Sequence, residues 1–354
     1  MKKIRIGNKI IGDGQRCFTI AEAGANHDGN LAKALKLIDA AIEGKADSVK
    51  FQTYKASKLV TKNAPKYWDD GNPQETQFDV FKKLDTLTDD NWKQIFEYAN
   101  KKNIMCFSTP FDKESVDLLY SLNTPAFKIA SADITDIPLI KYIAEKKLPI
   151  FISTGMANKE EIKYAIDAIQ DKGNHEIIIM HCITSYPTKP EDANLEMIRT
   201  LQKEFPENII GFSDHTLGTE VAVFSTFYGS KCIEKHFTFD NSLTASPDHK
   251  LSLNPKNFAE LVRQLELSTI SRGSPNRISF DAESEAVKFA RRSIVSIKRI
   301  PKNTKITEDM LDIKRPGIGI SPKFFDDVIG LETTCDISED TPIQWKQLLK
   351  KNEN

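Results

Sequence analysis

The feature that most narrows what this chain can fold into is a series of short apolar runs, each followed at once by polar residues. The runs are Phe18 to Ala21, Ser48 to Phe51, Ile104 to Phe107, Ala126 to Ala130, Pro149 to Ile152, Ile177 to Met180, Ile209 to Phe212 and Lys231 to Ile233. They recur about every 25 to 35 residues, the spacing of a strand plus a returning helix. The segments between them carry helical periodicity: Leu31, Leu35, Ile38 and Ile42 after an Asn30 cap, then Trp92, Ile95, Phe96 and Ala99, and Ile162, Ala165, Ile166 and Ile169. Phe258, Leu261, Val262 and Leu265 supply the helix after the last run. Strands alternating with helices in one pass make a parallel sheet, and eight of them point to a closed (β/α)8 TIM barrel. An open doubly wound sheet is the rival. The residues before Phe18 read as a small hairpin closing the opposite end of the barrel.

The residues that end the runs bear on chemistry. Glu22 follows the first, Lys50 and Gln52 the second, Ser108 and Thr109 the third, and Lys128 and Ser131 the fourth. Ser153 and Thr154 follow the fifth, His181 the sixth, Ser213 to His215 the seventh and Glu234 to His236 the eighth. Strand ends are wet in any barrel, which accounts for serines and threonines. Three lysines, two glutamates, an aspartate and three histidines ask for more, because carboxyl ends of barrel strands converge on the mouth where such enzymes keep their chemistry. Lys50 and Lys128 would form a cationic floor for a phosphate or carboxylate, with Ser131, Ser153 and Ser213 as further donors. His215 and His236, on adjacent strands with Asp214, Glu234 and Lys235 around them, would hold one divalent metal. A lone histidine is usually satisfied locally, as His175 in its loop would be. Spacing alone stops at an anionic, phosphorylated substrate beside a metal.

The tail of the chain follows a different pattern. A barrel domain over residues 1–272 gives way to a linker over 273–290, opened by RGSPNR, and then to short β-type pieces with Pro and Gly turns over 291–354. This makes a compact, mostly β domain of about 60 residues, small enough to need help from a neighbour. A long insertion from Tyr54 to Asp90 after the second strand has the length of a lid or binding loop. Lys plus Arg number 49 against 50 for Asp plus Glu, so charge offers no reason to expect nucleic acid or an anionic membrane as partner. No apolar run approaches the roughly 18 residues of a membrane span, and the amino terminus is too interrupted to read as a signal peptide. Five scattered cysteines with no CxxC pair suit reduced thiols and a cytoplasmic setting, four of them as small core residues.

Several stretches resemble the sialic acid synthase family. They are AEAGANHDGNLAKALKLIDAA (Ala21 to Ala41), KADSVKFQTY (Lys45 to Tyr54), FSTPFDKESVDLL (Phe107 to Leu119), PAFKIASADITDIPLI (Pro125 to Ile140) and ISTGMA (Ile152 to Ala157). The HCxxxYP pattern (His181 to Pro187), GFSDHTLG (Gly211 to Gly218), IEKHFTFD (Ile233 to Asp240) and SPDHKLSL (Ser246 to Leu253) continue it. RRSIV and KRPGIGISP (Lys314 to Pro322) are similar to that family's antifreeze-like (SAF) domain. The likeness spans nearly the whole chain in the same order.

That resemblance implies condensation of phosphoenolpyruvate with an open-chain N-acetylated hexose aldehyde. C3 of phosphoenolpyruvate attacks the aldehyde carbon, water adds at C2, and the tetrahedral species expels phosphate by C–O cleavage. It implies a metal on His215 and His236, Mn2+ or Mg2+, and assigns Lys50, Lys128, Ser131, Ser153 and Ser213 to phosphoenolpyruvate. Glu22 matches a carboxylate placed for proton transfer, with Glu234 beside the same site, and Gln52, Tyr186 and Asp248 match sugar-lining positions. It also implies a swapped homodimer, in which Phe289 and Arg315 of the small domain reach the neighbour's sugar and Arg315 bonds the N-acetyl group. Thr184 stands where N-acetylneuraminate synthases carry Asn; legionaminate synthases tend to have Thr there and pseudaminate synthases Ser. Ser246 replaces the usual Gly before PDH, while His249 leans away from the pseudaminate branch. N-acetylmannosamine is the first acceptor to expect, with a diacetamido-trideoxyhexose as the alternative. The rival activities are another phosphoenolpyruvate–aldose synthase, which should lack the small domain, and non-catalytic ice or sugar binding.

Overall fold

The computed structural model describes residues 2–68, 72, 74–244, 246–274, 276 and 281–349, without the side chain of Pro247. The chain divides after Gly273 into two compact units.

The first unit opens with a hairpin, β1 (Lys3–Ile6) paired antiparallel with β2 (Lys9–Gly12). Eight parallel strands follow: β3 (Phe18–Gly24), β4 (Ser48–Thr53), β5 (Met105–Pro110), β6 (Phe127–Ile129), β7 (Ile150–Ser153), β8 (Ile177–Cys182), β9 (Ile209–Asp214) and β10 (Cys232–His236). Their order is sequential and β10 pairs with β3, so the sheet closes into a barrel. Every run seen in the sequence is one of these strands. Six of the eight strands run two or three residues further than their apolar letters, because ladder hydrogen bonds continue through polar positions that the barrel mouth accommodates.

Strand alternation divides the core in two. Residues of one parity face the helices, as Val49, Phe51, Ile150, Ile152, Ile177 and Ile179 do. The other parity fills the lumen with Phe18, Ile20, Phe107, Phe151, Ile178 and Met180. Ile4, Ile6 and Ile11 of the hairpin belong to this lumenal cluster, so the hairpin plugs the amino-terminal end of the barrel as expected.

The helix Leu31–Glu43 starts at Asn30, whose side chain accepts from the Lys33 N–H. Its periodicity was legible but its facing was not: Ala34, Leu37, Ile38 and Ala41 are buried, while Ile42 is 39% exposed. Ala34, Ala41, Leu37 and Ile38 pack against the sheet, and Leu31, Leu35 and Ile42 are left at the edge. Helices Asp89–Lys101, Lys159–Gln170 and Pro255–Ser271 bury the residues their spacing predicts. The insertion after β4 is not a plain loop. It contains helices Ala56–Leu59 and Gln77–Leu84, the second opened by a Thr76–Asp79 capping box, and its Tyr54 packs on Phe81 and on Phe111, which follows β5. Asp69 to Gly71 and Pro73 within it lie outside the described residues.

The second unit has its own core of Ile294, Ile300, Ile306, Ile320, Val328, Ile337 and Ile343. Its sheet, in the order β12-β11-β13, joins β11 (Ser293–Ser296), β12 (Leu311–Lys314) and β13 (Thr341–Pro342). The expected linker carries a short helix, Ser284–Phe289, while Pro275, Arg277 to Phe280 and the terminal residues from Lys350 lie outside the described residues. Among the described residues no helix is long and apolar enough to cross a membrane.

Candidate active site

The lumenal parity that packs Phe18, Ile20 and Phe151 at the bottom of the barrel becomes charged and polar at the top. Glu22 continues it on β3, Lys50 and Gln52 on β4, Thr109 on β5, Lys128 on β6, Ser153 on β7, Cys182 on β8, Ser213 on β9, and Glu234 and His236 on β10. Lys50, Lys128, Glu22 and Glu234 are all at least 96% buried. Burying four charges is tolerable only because they answer one another.

Lys50 Nζ lies 2.6 Å from Glu22 Oε2, off the direction of a hydrogen bond, so the attraction there is charge to charge. It also lies 3.7 Å from Glu234 Oε1 and donates to Thr109 Oγ1 at 3.2 Å. Lys128 Nζ is 3.8 Å from the same Glu234 oxygen, which accepts from Ser213 Oγ at 3.1 Å. Gln52 Nε2 donates to Glu22 Oε1 at 3.0 Å.

These environments push the two carboxyls apart. Burial, reinforced by the negative Glu234, raises the pKa of Glu22 despite Lys50. Burial acts the same way on Glu234, but Lys128, Lys50 and His236 outweigh it and hold its pKa below the ordinary value. One carboxylate stays charged and the other takes a proton readily, the division of labour that acid–base chemistry needs. The lysines also differ. Burial, with Lys50 adding to it, lowers Lys128 in spite of Glu234, Cys182 and Glu22, whereas two carboxylates lift Lys50 above its usual value in spite of burial. Lys128 therefore gains most from an arriving anion.

Beside these charges stand the imidazoles. The rings of His215 and His236 have centroids 5.3 Å apart, and Tyr186 packs on both, 4.2 Å from His215 and 5.8 Å from His236. His215 Nδ1–H donates to the Ile183 carbonyl oxygen at 2.7 Å, which leaves Nε2 as the nitrogen where a metal cation would replace a proton. His236 Nδ1 is buried without a hydrogen-bond partner, although Asp248 Oδ2 stands 3.4 Å away at an angle that makes no bond. Two neighbouring imidazoles, each with an uncommitted nitrogen, fit a divalent cation. Burial lowers the His215 pKa, but Cys182, the Ile183 carbonyl and Glu234 overcome it and raise it to about 9. Surroundings that favour a proton there favour a metal cation too. Among the described residues no group of three or more His, Cys, Asp or Glu side chains converges to hold an ion, so the remaining positions would fall to water and substrate oxygens.

A second set of polar atoms is left open at the same mouth. Ser153 Oγ and Thr184 Oγ1 are buried without partners. Gly155 is a glycine by necessity: a Cβ there would stand 2.2 Å from Thr184 Oγ1 and 2.8 Å from Ser131 Oγ. Ser131 Oγ accepts from the Gly155 N–H at 3.0 Å. Gly24, at φ +53°, sits where Glu22, Gln52 and Asp248 converge, with the three side chains 3.3, 3.4 and 3.7 Å from a Cβ built there.

Parity removes four residues that the sequence placed at the mouth. His181 faces the helices, stacks on Phe212 and bonds the Ala193 carbonyl oxygen through Nε2 at 2.8 Å. Ser108 pairs with Thr53 on the same outer face at 2.7 Å. Lys235 and Asp214, 2.6 Å apart, form an ion pair on that face as well. Phe289 and Arg315 lie in the second unit, both exposed. Thr109, placed at the mouth by the sequence, is there as a partner of Lys50; two mouth residues were missed, Cys182 near His215 with Sγ 3.9 Å from Nδ1, and Asp133, whose Oδ2 is buried without a partner. Burial and then Asp136 raise Asp133 to about 7, with Lys128 opposing. Cys182 could have been found from its step of two beyond Ile178 and Met180.

Comparison with known proteins places the chain in a family. The NeuB family matches residues 37–277 and the SAF domain residues 291–349. The chain is 37% identical to the N,N'-diacetyllegionaminic acid synthase of Legionella pneumophila over 97% of both chains. It is 33% identical to the pseudaminic acid synthase of Helicobacter pylori, over 92% of this chain and 95% of that one. Among solved structures, the N-acetylneuraminic acid (sialic acid) synthetase of Leptospira borgpetersenii superposes with a TM-score of 0.73 at 34% identity, over 81% of this chain and 95% of that one.

Proposed function

Because the chain belongs to the NeuB family of sialic, legionaminic and pseudaminic acid synthases, we propose that it joins phosphoenolpyruvate to an open-chain N-acetylated hexose, releasing phosphate and a nine-carbon sugar acid. The observation that carries this reading is the buried charge chain Glu22–Lys50–Glu234–Lys128, each successive pair within 4 Å, beside both imidazoles.

In this reading Lys128, the less compensated cation, takes the phosphate or carboxylate of phosphoenolpyruvate together with Lys50. Ser131, Ser153 and Ser213 complete the anion's hydrogen bonds, and the open Ser153 hydroxyl supports that role. Glu22, with its raised pKa, delivers or accepts the proton at the aldehyde oxygen or the attacking water. Glu234 stays ionised and keeps both ammonium groups aimed into the pocket. A divalent cation on His215 and His236, Mn2+ or Mg2+, would polarise the aldehyde oxygen. Gln52, Tyr186 and Asp248 line the sugar side, where Gln52 and Asp248 approach each other over Gly24.

The sugar expected first is N-acetylmannosamine. A second reading, a diacetamido-trideoxyhexose, is favoured by Thr184, whose buried hydroxyl has no partner, and by the likeness to the Legionella pneumophila enzyme. The small domain would complete the site of a second copy in a swapped homodimer, with Arg315 on the N-acetyl group and Phe289 against the sugar. The test is phosphate release from phosphoenolpyruvate with N-acetylmannosamine, its 6-phosphate and the diacetamido-trideoxyhexoses, with the product mass measured. No phosphate from any of them in the presence of Mn2+ or Mg2+ would sink the proposal.

A further inference from the structure

The two charged residues that parity turns away from the pocket stand at an informative place. Lys235 and Asp214 are directly opposite each other in the last paired rung between β9 and β10. Their side chains are 1% and 0% exposed, and Lys235 Nζ lies 2.6 Å from Asp214 Oδ2. Lys235 also donates to the Thr216 carbonyl oxygen, while Asp214 Oδ1 accepts from the Thr216 N–H at 2.8 Å. On each strand the pair member sits between two pocket residues: Ser213 and His215 flank Asp214, and Glu234 and His236 flank Lys235.

Past this rung the strands are anchored to different neighbours. The His215 carbonyl oxygen accepts from Thr188 N–H at 3.0 Å, on the β8 side. β10 stays paired with β3 as far as His236 opposite Glu22, and the His236 carbonyl oxygen accepts from Leu253 N–H at 2.8 Å. Where the β9–β10 ladder stops, the ion pair and its grip on Thr216 bridge the two anchors. A buried ion pair contributes little net stability, since apolar residues of similar volume often serve the fold as well or better. Stability alone therefore does not account for two charges at this spot.

We propose that the Asp214–Lys235 ion pair is a positioning device that ties β9 to β10 behind the pocket, sets the separation of His215 and His236, and thereby tunes affinity for a divalent cation. The inference rests on reading those two imidazoles as a cation site. Asp214 and Lys235 are positioning residues, since neither faces the pocket.

The test uses the full chain, stripped of metal, with Mn2+ titrated calorimetrically and Tm measured in EDTA. The double variant Asp214→Leu, Lys235→Met keeps the packing and removes both charges. It should melt at or above the parent temperature without metal yet bind Mn2+ roughly 10–100-fold more weakly, the usual consequence of losing a partner that orients a ligand. If the double variant does not fold, Asp214→Asn decides by the same loss of Mn2+ affinity. Parental affinity in whichever variant folds overturns the proposal, as does, in the double variant, a weakening that appears only with a lowered metal-free Tm. His236→Ala separates the two claims: if it binds Mn2+ like the parent, the cation site itself was misread.

Discussion

Lys50 and Lys128 look interchangeable in the sequence, but their surroundings predict different consequences when each is replaced by Met. Lys50 is the cation at 2.6 Å from Glu22, which is 1% exposed. Removing one partner of a buried pair typically costs about 3–5 kcal/mol. Here the loss is moderated, because Glu22 already has a raised pKa and escapes by taking a proton. A carboxyl whose folded pKa is raised stabilises the fold below its unfolded pKa and loses that contribution as pH climbs through the folded value. Lys50→Met should therefore lose about 1 kcal/mol at pH 5 and about 3 kcal/mol at pH 8. In Lys128→Met, Glu234 keeps Lys50 at 3.7 Å and Ser213 at 3.1 Å. Its stability loss should stay near 1 kcal/mol with little pH dependence. Activity should not follow stability. Losing a charged contact to a bound anion costs at least about 2 kcal/mol, so kcat/KM for phosphoenolpyruvate should fall about 30-fold or more in both variants. Urea unfolding at pH 5 and 8, with steady-state kinetics beside it, reads all of this. Equal and pH-independent stability losses, or a Lys128→Met enzyme within threefold of the parent, would refute the charge geometry described here.

Three further outcomes are expected. His236→Ala, or EDTA on the parent protein, should abolish turnover while far-UV circular dichroism stays unchanged; full activity in rigorously metal-free enzyme would remove the metal role. Arg315→Ala should raise KM for the sugar at least tenfold more than KM for phosphoenolpyruvate, taking a charged hydrogen bond as about 1.5–3 kcal/mol; equal effects would count against the swapped cap. Asp133, lifted to about 7 by burial, should weaken the fold as pH rises from 4 to 7. Asp133→Asn should flatten that part of the pH–stability curve, by an amount on the order of 1–2 kcal/mol after screening at the mouth, measured by thermal melting at pH 5 and 8.

The repeating runs carried the barrel, the plug and the family likeness, because each is a local pattern: alternation, helical spacing, and motifs such as GFSDHTLG and IEKHFTFD that are contiguous in the chain. What no run disclosed was where each strand ends. A strand's apolar letters stop before its ladder does, and side chains alternate between faces, so polar residues just past a run divide evenly between pocket and helix layer. His181 and His215 read alike in sequence, yet one is stacked on Phe212 and the other faces Tyr186. Cys182 read as core and sits at the mouth, and Lys235 read as mouth and pairs with Asp214 behind it. The amino-acid order thus determined the fold and the kinds of chemical groups available. Which of those groups face one another was decided only when the sheet closed, since closure sets the register between strands and the register sets every distance across the pocket.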